Sequence, residues 1–193
     1  MASVRLRWSL LVLALTVSAA AQTETATVEK LSRLDLSVNY VADIANAGPG
    51  ACGCFAMHGG GTEEAYYFGP TTAMVLDLSV VHTSQMSGTN AGLGLATFLV
   101  GPRYAFRNSS RYLPYVQGQL GGVVGFDAIW PGTSSKTASS IAWTLGGGLE
   151  MKYNHRVSFR LIEASFLNTR LNNNATSTQN NLKLSTGIVL HLK

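Results

Sequence analysis

Apolar and polar residues alternate with a period of two along most of this chain. In residues 141–154, one set of alternate positions carries large apolar side chains and the other carries small or charged ones. Because successive side chains of a β-strand point to opposite faces, this pattern predicts strands with one apolar and one polar face. Eight such strands are predicted, at 33–44, 54–68, 73–83, 93–106, 113–126, 139–153, 157–169 and 180–192.

The connections between the predicted strands alternate in length. Three are short, at 69–72, 107–112 and 154–156, whereas those at 45–53, 84–92, 127–138 and 170–179 are longer and rich in Gly, Ser, Thr and Asn. An even number of antiparallel strands with short turns at one end and long loops at the other is typical of outer-membrane barrels. The sequence therefore predicts an all-β fold: an eight-stranded antiparallel up-and-down transmembrane β-barrel.

The alternation does not by itself say which face lies inside, and a soluble ligand-binding barrel would hide its apolar face. Three features favour an apolar exterior: charges of both signs on the polar face, many glycines there, and aromatic residues near strand ends. Eight strands leave an interior only wide enough for side chains, so the polar face predicts a filled lumen held by ion pairs. The residues predicted to form this lumen network are Asp35, Asp77, Arg103, Glu150, Lys152, Arg160, Glu163 and Lys183.

Two predicted strands fit the alternation poorly. In 157–169, Phe166 has the opposite parity to the apolar residues before it, and Glu163 would face lipid if the parity were unbroken. A β-bulge, which inserts one residue and switches the faces, is therefore predicted near Ile162. In 54–68, three consecutive glycines are followed by Glu63 and Glu64, and the phase is undetermined.

The N-terminal residues predict export. Residues 1–21 have two early arginines, a short apolar stretch and small residues that fit an A-x-A cleavage site, as in a cleaved secretory signal peptide. Residues 22–32 are expected to form a short periplasmic segment, and 33–193 the barrel. No later stretch offers the roughly 18 uncharged apolar residues of a membrane-spanning helix.

Composition narrows the function classes. The 193 residues are 46% hydrophobic and 12% charged, which argues against a disordered chain or a coiled coil. The formal net charge of +4 is spread along the chain, so no basic stripe predicts nucleic-acid binding.

Short motifs then suggest a family. Residues 185–192, with Gly187, Leu190 and Leu192 at the defining positions, resemble the C-terminal β-signal of outer-membrane proteins. Together with 101–104, 145–149 and 180–182, they make the chain similar to the small outer-membrane β-barrel domain proteins of the porin superfamily, such as the transmembrane domain of OmpA and OmpX. This resemblance implies a place in the bacterial outer membrane, contact with its lipid, and insertion by the barrel assembly machinery. We expect a monomer.

Candidate chemistry is sparse. Cys52 and Cys54 lie in the first long loop, where a local disulfide, free thiols and an intermolecular bridge all stay open, and a zinc site would lack an evident fourth ligand. The four histidines recur at no metal-binding spacing. His82 and Ser84 could suggest a lipid hydrolase, but no nucleophile elbow or neighbouring acid supports it.

We therefore predict a non-enzymatic protein without cofactor or metal, with a plugged polar lumen and a structural or interaction role at the cell surface. Two alternatives stay open: a narrow or gated pore for small solutes, and an outer-membrane lipid-modifying enzyme. The composition of the loops names no particular ligand.

Overall fold

The computed structural model describes residues 32–46, 54–86, 91–128, 130, 135–172 and 177–192. The predicted signal peptide at 1–21 and Cys52 lie outside these residues. Within them, no helix is long and apolar enough to cross a membrane. The strands are β1 (Leu34–Asn46), β2 (Cys54–Tyr67), β3 (Thr72–Thr83), β4 (Leu93–Ala105), β5 (Tyr112–Phe126), β6 (Ala138–Lys152), β7 (Val157–Thr169) and β8 (Gln179–Leu192).

Each strand pairs in an antiparallel manner with its neighbours in sequence, and β1 also pairs with β8, so the sheet closes on itself. The closing register sets Leu34 opposite Leu192. The predicted eight-stranded antiparallel up-and-down barrel is thus confirmed, with every strand boundary within two residues of its predicted position. Short turns connect the strands at one end of the barrel and longer loops at the other.

The apolar face of the strands is the outer face. Leu145 is 63% exposed and Trp143 40% exposed, whereas Lys183 on the polar face is only 4% exposed. This arrangement inverts that of a soluble barrel and confirms the predicted orientation. The exposed apolar side chains include Leu36, Val38, Met74, Leu78, Val80, Phe98, Val100, Val116, Leu120, Val124, Ile141, Phe166, Leu182, Ile188, Leu190 and Leu192.

The interior is layered rather than uniformly polar. One buried apolar cluster, which includes Met57, Leu99 and Leu167, occupies the long-loop half, and a second, which includes Ala65 and Val75, occupies the short-turn half. Along β2 and β4 the inward-facing charged residues fall between members of the two clusters. The alternation had indicated a polar interior throughout, and these two apolar clusters were not predicted.

The bulge expected near Ile162 is present. The register of β7 shifts between Arg160 and Glu163 against β8, and it shifts against β6 at Leu149 and Glu150. As a result Leu161 and Ile162 are both exposed, while Glu163 is buried. One inserted residue therefore turns a carboxylate from the apolar exterior into the lumen.

The undetermined phase of β2 is also resolved. Glu63 faces the lumen and is 2% exposed, whereas Glu64 is exposed on the outer surface. Tyr67 points inward as well, with the guanidinium of Arg107 4.7 Å from its ring centre. It therefore does not belong to the exterior aromatic residues that the sequence suggested at the strand ends.

Glycines on the inner face permit close approach of neighbouring strands. A Cβ atom at Gly187 would overlap the backbone carbonyl oxygen of Val38 on β1, across the seam that closes the barrel. At Gly148 a Cβ would lie 2.5 Å from the hydroxyl oxygen of Tyr115, its register partner on the adjacent strand β5, so the glycine makes room for that side chain.

We predict that Gly187→Ala destabilises the barrel by about 1–3 kcal/mol, because the new methyl group collides with a backbone carbonyl that cannot move aside. The measurement is urea unfolding of the refolded protein in lipid vesicles. Gly118→Ala is the matched control, since its methyl group would meet Leu145 at an ordinary 3.6 Å. Equal stability of the two variants would contradict the packing role of Gly187.

Candidate functional site

The lumen network centres on the carboxylate of Glu63. Its Oε1 atom lies 2.6 Å from Nη2 of Arg103 and 2.6 Å from Nη2 of Arg160. These residues come from β2, β4 and β7. One carboxylate therefore joins three strands, no two of which are neighbours in the sheet. All three side chains are at most 2% exposed, which makes their charges depend on each other for stabilisation.

Further carboxylates surround the two guanidinium groups. Arg160 lies 3.0 Å from Glu150 and 3.1 Å from Glu163, and Arg103 lies 4.0 Å from Glu150 and 3.9 Å from Glu163. The strand β7 supplies both Arg160 and Glu163, which the bulge between them places on the same face. The cluster therefore contains three carboxylates and two guanidinium groups.

Neutral side chains complete the cluster. Tyr115 donates its hydroxyl hydrogen to Glu163 at 2.5 Å, and the Arg103 guanidinium lies 4.0 Å from the Tyr115 ring centre. Gln117 accepts a hydrogen bond from Nε of Arg103 at 2.8 Å and donates one to Glu163 at 3.1 Å. Sequence reasoning did not single out these two residues because they carry no charge, although their inward parity matched that of the network.

The last strand supplies partners to two acids. Lys183 lies 2.8 Å from Asp77 on β3, across the lumen. His191 lies 2.7 Å from Asp35 on the adjacent strand β1, and its other ring nitrogen lies 2.7 Å from the Ser158 hydroxyl. Of the residues predicted for the lumen network, six thus take part in ion pairs with arginine or lysine, and Asp35 contacts His191.

Lys152 is the exception. It is half-buried at the short-turn end of β6, and within the described part of the chain no ion pair joins it. Its parity is that of the inner face, but its position next to a turn lets the long side chain reach toward solvent. Lys152 therefore lies on the predicted face of its strand, and its membership of the network stays a prediction.

Three carboxylates of the lumen, those of Glu63, Asp77 and Glu163, lie close enough to share an ion, with one oxygen of each within 4.8 Å of the others. Glu63 and Asp77 are also direct register partners. Arginine and lysine side chains already contact all three, so ion pairing accounts for the cluster. The arrangement can hold the strands in register and exclude water from the interior.

The other sequence candidates lie elsewhere. Cys54 is exposed at the start of β2, and because Cys52 lies outside the described residues, their pairing stays a prediction. His82 faces outward, with its Nε2 atom 3.7 Å from the carboxylate of Asp127, an acid that the sequence did not place beside it. Within the residues described, the contacts of His82 include no nucleophilic hydroxyl group.

Comparison with known proteins was made at the levels of sequence and structure. The sequence matches no protein-family model and no curated protein. The structure is similar to that of Neisserial surface protein A, with a TM-score of 0.64, 14% identity, and coverage of 83% of this chain and 98% of that one. This chain has the fold of the small outer-membrane β-barrels.

Two further solved structures share this fold. The attachment invasion locus protein Ail of Yersinia pestis, in complex with the heparin analogue sucrose octasulfate, gives a TM-score of 0.53 at 16% identity, with 82% of this chain and 99% of that one covered. The outer membrane protein OprG of Pseudomonas aeruginosa gives 0.51 at 12% identity, with 83% and 95% covered. The predicted resemblance to OmpA-like and OmpX-like barrels is confirmed for the fold.

We predict that Glu63→Gln lowers the free energy of unfolding by about 3–5 kcal/mol, because it leaves two buried guanidinium groups without their shared carboxylate. Urea titration in lipid vesicles, followed by tryptophan fluorescence, measures the change. Glu64→Gln is the neighbouring control and should shift stability by less than about 0.5 kcal/mol, since Glu64 lies on the outer surface. A similar loss in both variants would show that the ion pairs do not carry the effect.

Proposed function

We propose that the chain is an integral protein of the bacterial outer membrane with a structural or interaction role at the cell surface, and that its lumen is plugged. The observation that carries this proposal is the inversion of the barrel: most of the charges lie inside, and the outer surface is predominantly apolar. A protein in water would have to leave that surface exposed, whereas hydrocarbon solvates it at no cost.

The aromatic residues support a membrane position. At the short-turn end, three ring pairs stand on the outside: Tyr66 with Phe68, Tyr104 with Phe106, and Tyr153 with Phe159, at centroid distances of 5.3, 5.0 and 5.8 Å. Each pair flanks a short turn or a strand end, so together they form a partial ring around the barrel. Such rings are typical of the membrane–water interface, where an apolar ring body and a polar tip are both accommodated.

The length of the strands is also suitable for crossing a bilayer. The eight strands have 12 to 15 residues, and a tilted strand needs roughly 9–11 to cross the hydrocarbon core. The excess extends the barrel beyond the bilayer. We infer that the four longer loops lie outside the cell and the short turns lie in the periplasm, as the usual layout of such barrels has it.

A structural role follows from the state of the lumen. The buried network and the two apolar clusters place side chains from every strand in the interior of an eight-stranded barrel, which has little room for more. A filled interior supports neither general diffusion nor catalysis. We therefore assign function to the loops and the outer surface, and propose no enzymatic activity.

The proposal includes the route to the membrane. Residues 1–21 would direct export and be removed, and the end of β8, with Gly187, Leu190 and Leu192, would be read by the barrel assembly machinery. Leu190 and Leu192 are exposed on the outer face, where a partner could contact them during insertion. We propose a monomer surrounded by outer-membrane lipid, without a nucleic-acid partner.

A charge introduced on the outer face by substitution distinguishes a membrane barrel from a soluble one. Leu145→Arg should reduce the folded fraction in vesicles and cost roughly 2–4 kcal/mol, because it places a guanidinium against hydrocarbon near mid-depth. Ser109→Arg, in an exposed short turn, is the control and should fold normally. The heat-modifiable gel shift of outer-membrane fractions measures both, and normal folding of Leu145→Arg would indicate a protein that resides in water.

Conductance tests the plugged lumen separately. We predict that the mature barrel in a planar lipid bilayer gives no steady current, because charged and apolar side chains occupy the lumen. The Glu64→Gln variant, altered only on the outside, should behave alike, and a general porin in the same lipid provides the positive control. Sustained single-channel currents from the wild type would instead support a narrow pore.

A further inference from the structure

Basic residues line the short-turn end of the barrel. Each stands at or just beyond the end of a different strand, and all are exposed or half-buried. We call this set the basic mouth, and its members are Arg33 before β1, Arg107 after β4, Arg111 before β5, Lys152 at the end of β6 and Arg156 before β7. The four long loops at the other end carry few charges by comparison, although they contain many more residues.

The basic mouth continues the inner face of the barrel. Each of its members lies two positions from an inward-facing buried residue, and side chains two positions apart on a strand share a face. The ladder of backbone hydrogen bonds extends as far as Arg33, Arg111 and Arg156, whose carbonyl oxygens each accept an amide hydrogen at 2.8 Å. The inward neighbours are Asp35, Ala105, Leu113, Glu150 and Ser158. The cations therefore face the opening, whereas the aromatic pairs at this end face outward.

The acids next to the basic mouth already have partners. Asp35 lies 2.7 Å from His191, and Glu150 lies 3.0 Å from Arg160. Glu64, the exposed acid of this half of the barrel, lies on the outer face of β2. Within the described residues, no ion pair joins an acid to any member of the basic mouth. Its positive charge is therefore unbalanced in this part of the chain.

Two of these cations lie directly opposite each other. The amide of Lys152 donates to the carbonyl oxygen of Arg111 at 2.8 Å, one pair beyond the last register pair of β5 and β6. Like charges directly opposite on antiparallel strands destabilise each other. In the turn before Arg111, the Nε atom of Arg107 is buried and has no hydrogen-bond partner among the described residues. An anion bound here would relieve the repulsion and accept hydrogen bonds from groups that now lack an acceptor.

The lumen beneath the basic mouth is closed. The apolar cluster of the short-turn half fills it with side chains that include Tyr67, Leu113 and Tyr115. The guanidinium of Arg107 lies over the Tyr67 ring, 4.7 Å from its centre, and so sits on top of this cluster. An anion therefore binds at the surface of the barrel and does not enter it, which is compatible with a plugged lumen.

We propose that the basic mouth binds an acidic peptide chain on the short-turn side of the barrel. A guanidinium group can bind a carboxylate through two parallel hydrogen bonds. Neighbouring strands are about 4.8 Å apart, so the cations stand roughly 5 Å apart from β4 to β7 and roughly 10 Å apart across β8. Alternate side chains of an extended peptide repeat every 6.7 Å or so, which suits this spread better than a single compact anion.

The direction of the cations decides between a peptide and a lipid headgroup. Lipid surrounds the outer face, where this end of the barrel presents tyrosine and phenylalanine rings. The basic mouth faces the axis and the water beyond it. That this water is the periplasm rests on the proposed function, whereas the site itself depends only on the short turns and the ends of the strands.

Fluorescence anisotropy of labelled oligoglutamate, with the mature barrel in nanodiscs of zwitterionic lipid, tests the proposal. We expect saturable binding that weakens as salt rises, because salt screens exposed charges. Oligoglutamine should not bind, and inositol hexakisphosphate, a compact anion, should compete only weakly. The double variant Arg111→Gln with Lys152→Gln should bind about 3- to 10-fold more weakly than the wild type, the contribution of two exposed ion pairs.

Lys136→Gln with Arg170→Gln is the matched control, because it removes two exposed positive charges at the long-loop end. It should bind the peptide as the wild type does. An equal loss in both double variants, no binding by the wild type, or tighter binding of inositol hexakisphosphate than of the peptide would overturn the proposal.

Native mass spectrometry tests the lipid alternative. The Arg111 and Lys152 double variant should retain phosphatidylglycerol as the wild type does, and a loss of this lipid from that variant alone would overturn the proposal. The heat-modifiable gel shift verifies that every variant is folded and reports the membrane barrel independently of the peptide. A failure of the proposed function can therefore be distinguished from a failure of the peptide site.

Discussion

The fold depends on the pairing of charges that have been removed from water. The interior has no room for a hydration shell around Glu63, Arg103 and Arg160. The charge of each side chain is therefore stable only beside the opposite charge of its partners. Because they come from three different strands, the requirement for pairing becomes a requirement on register. A shift of one residue in β2 would turn Glu63 to the outside and Glu64 inward, and it would also move the buried side chains of Met57 and Ala65 to the outer surface.

The same two glutamates show how the barrel divides two environments along one strand. Glu63 is stabilised by opposite charge in a closed interior, while Glu64 lies outside, beside the aromatic residues of the short-turn end. The interior layers sharpen this division. Along β2 and β4, apolar residues lie on either side of Glu63 and Arg103, so this ion pair is separated from both ends of the barrel, where screening by solvent would weaken it.

Much of the architecture could be predicted from the sequence, because parity alone determines the face of each strand. The bulge in β7 could be predicted for the same reason: the positions of Glu163 and Phe166 are compatible only if the parity switches between them. Partner identity could not be predicted, since it depends on how far each strand is staggered around the barrel. The contact of Lys183 with Asp77 and that of His82 with Asp127 join residues over 40 positions apart, and no local pattern encodes either one. For Lys152, the sequence predicted which face of the strand it lies on, but not how close it lies to the short-turn end of the barrel.

The strand β8, which closes the barrel against β1, supplies partners to two acids on other strands. Its Lys183 pairs with Asp77 on β3, and its His191 contacts Asp35 on β1. Until that strand docks, both acids lack these partners, and the unfinished sheet has a surplus of negative charge on its concave side. The pairing of these acids and the closure of the barrel are thus a single event. A sheet that lacks β8 would keep these carboxylates hydrated, so the docking of β8 removes an electrostatic obstacle to the burial of the interior.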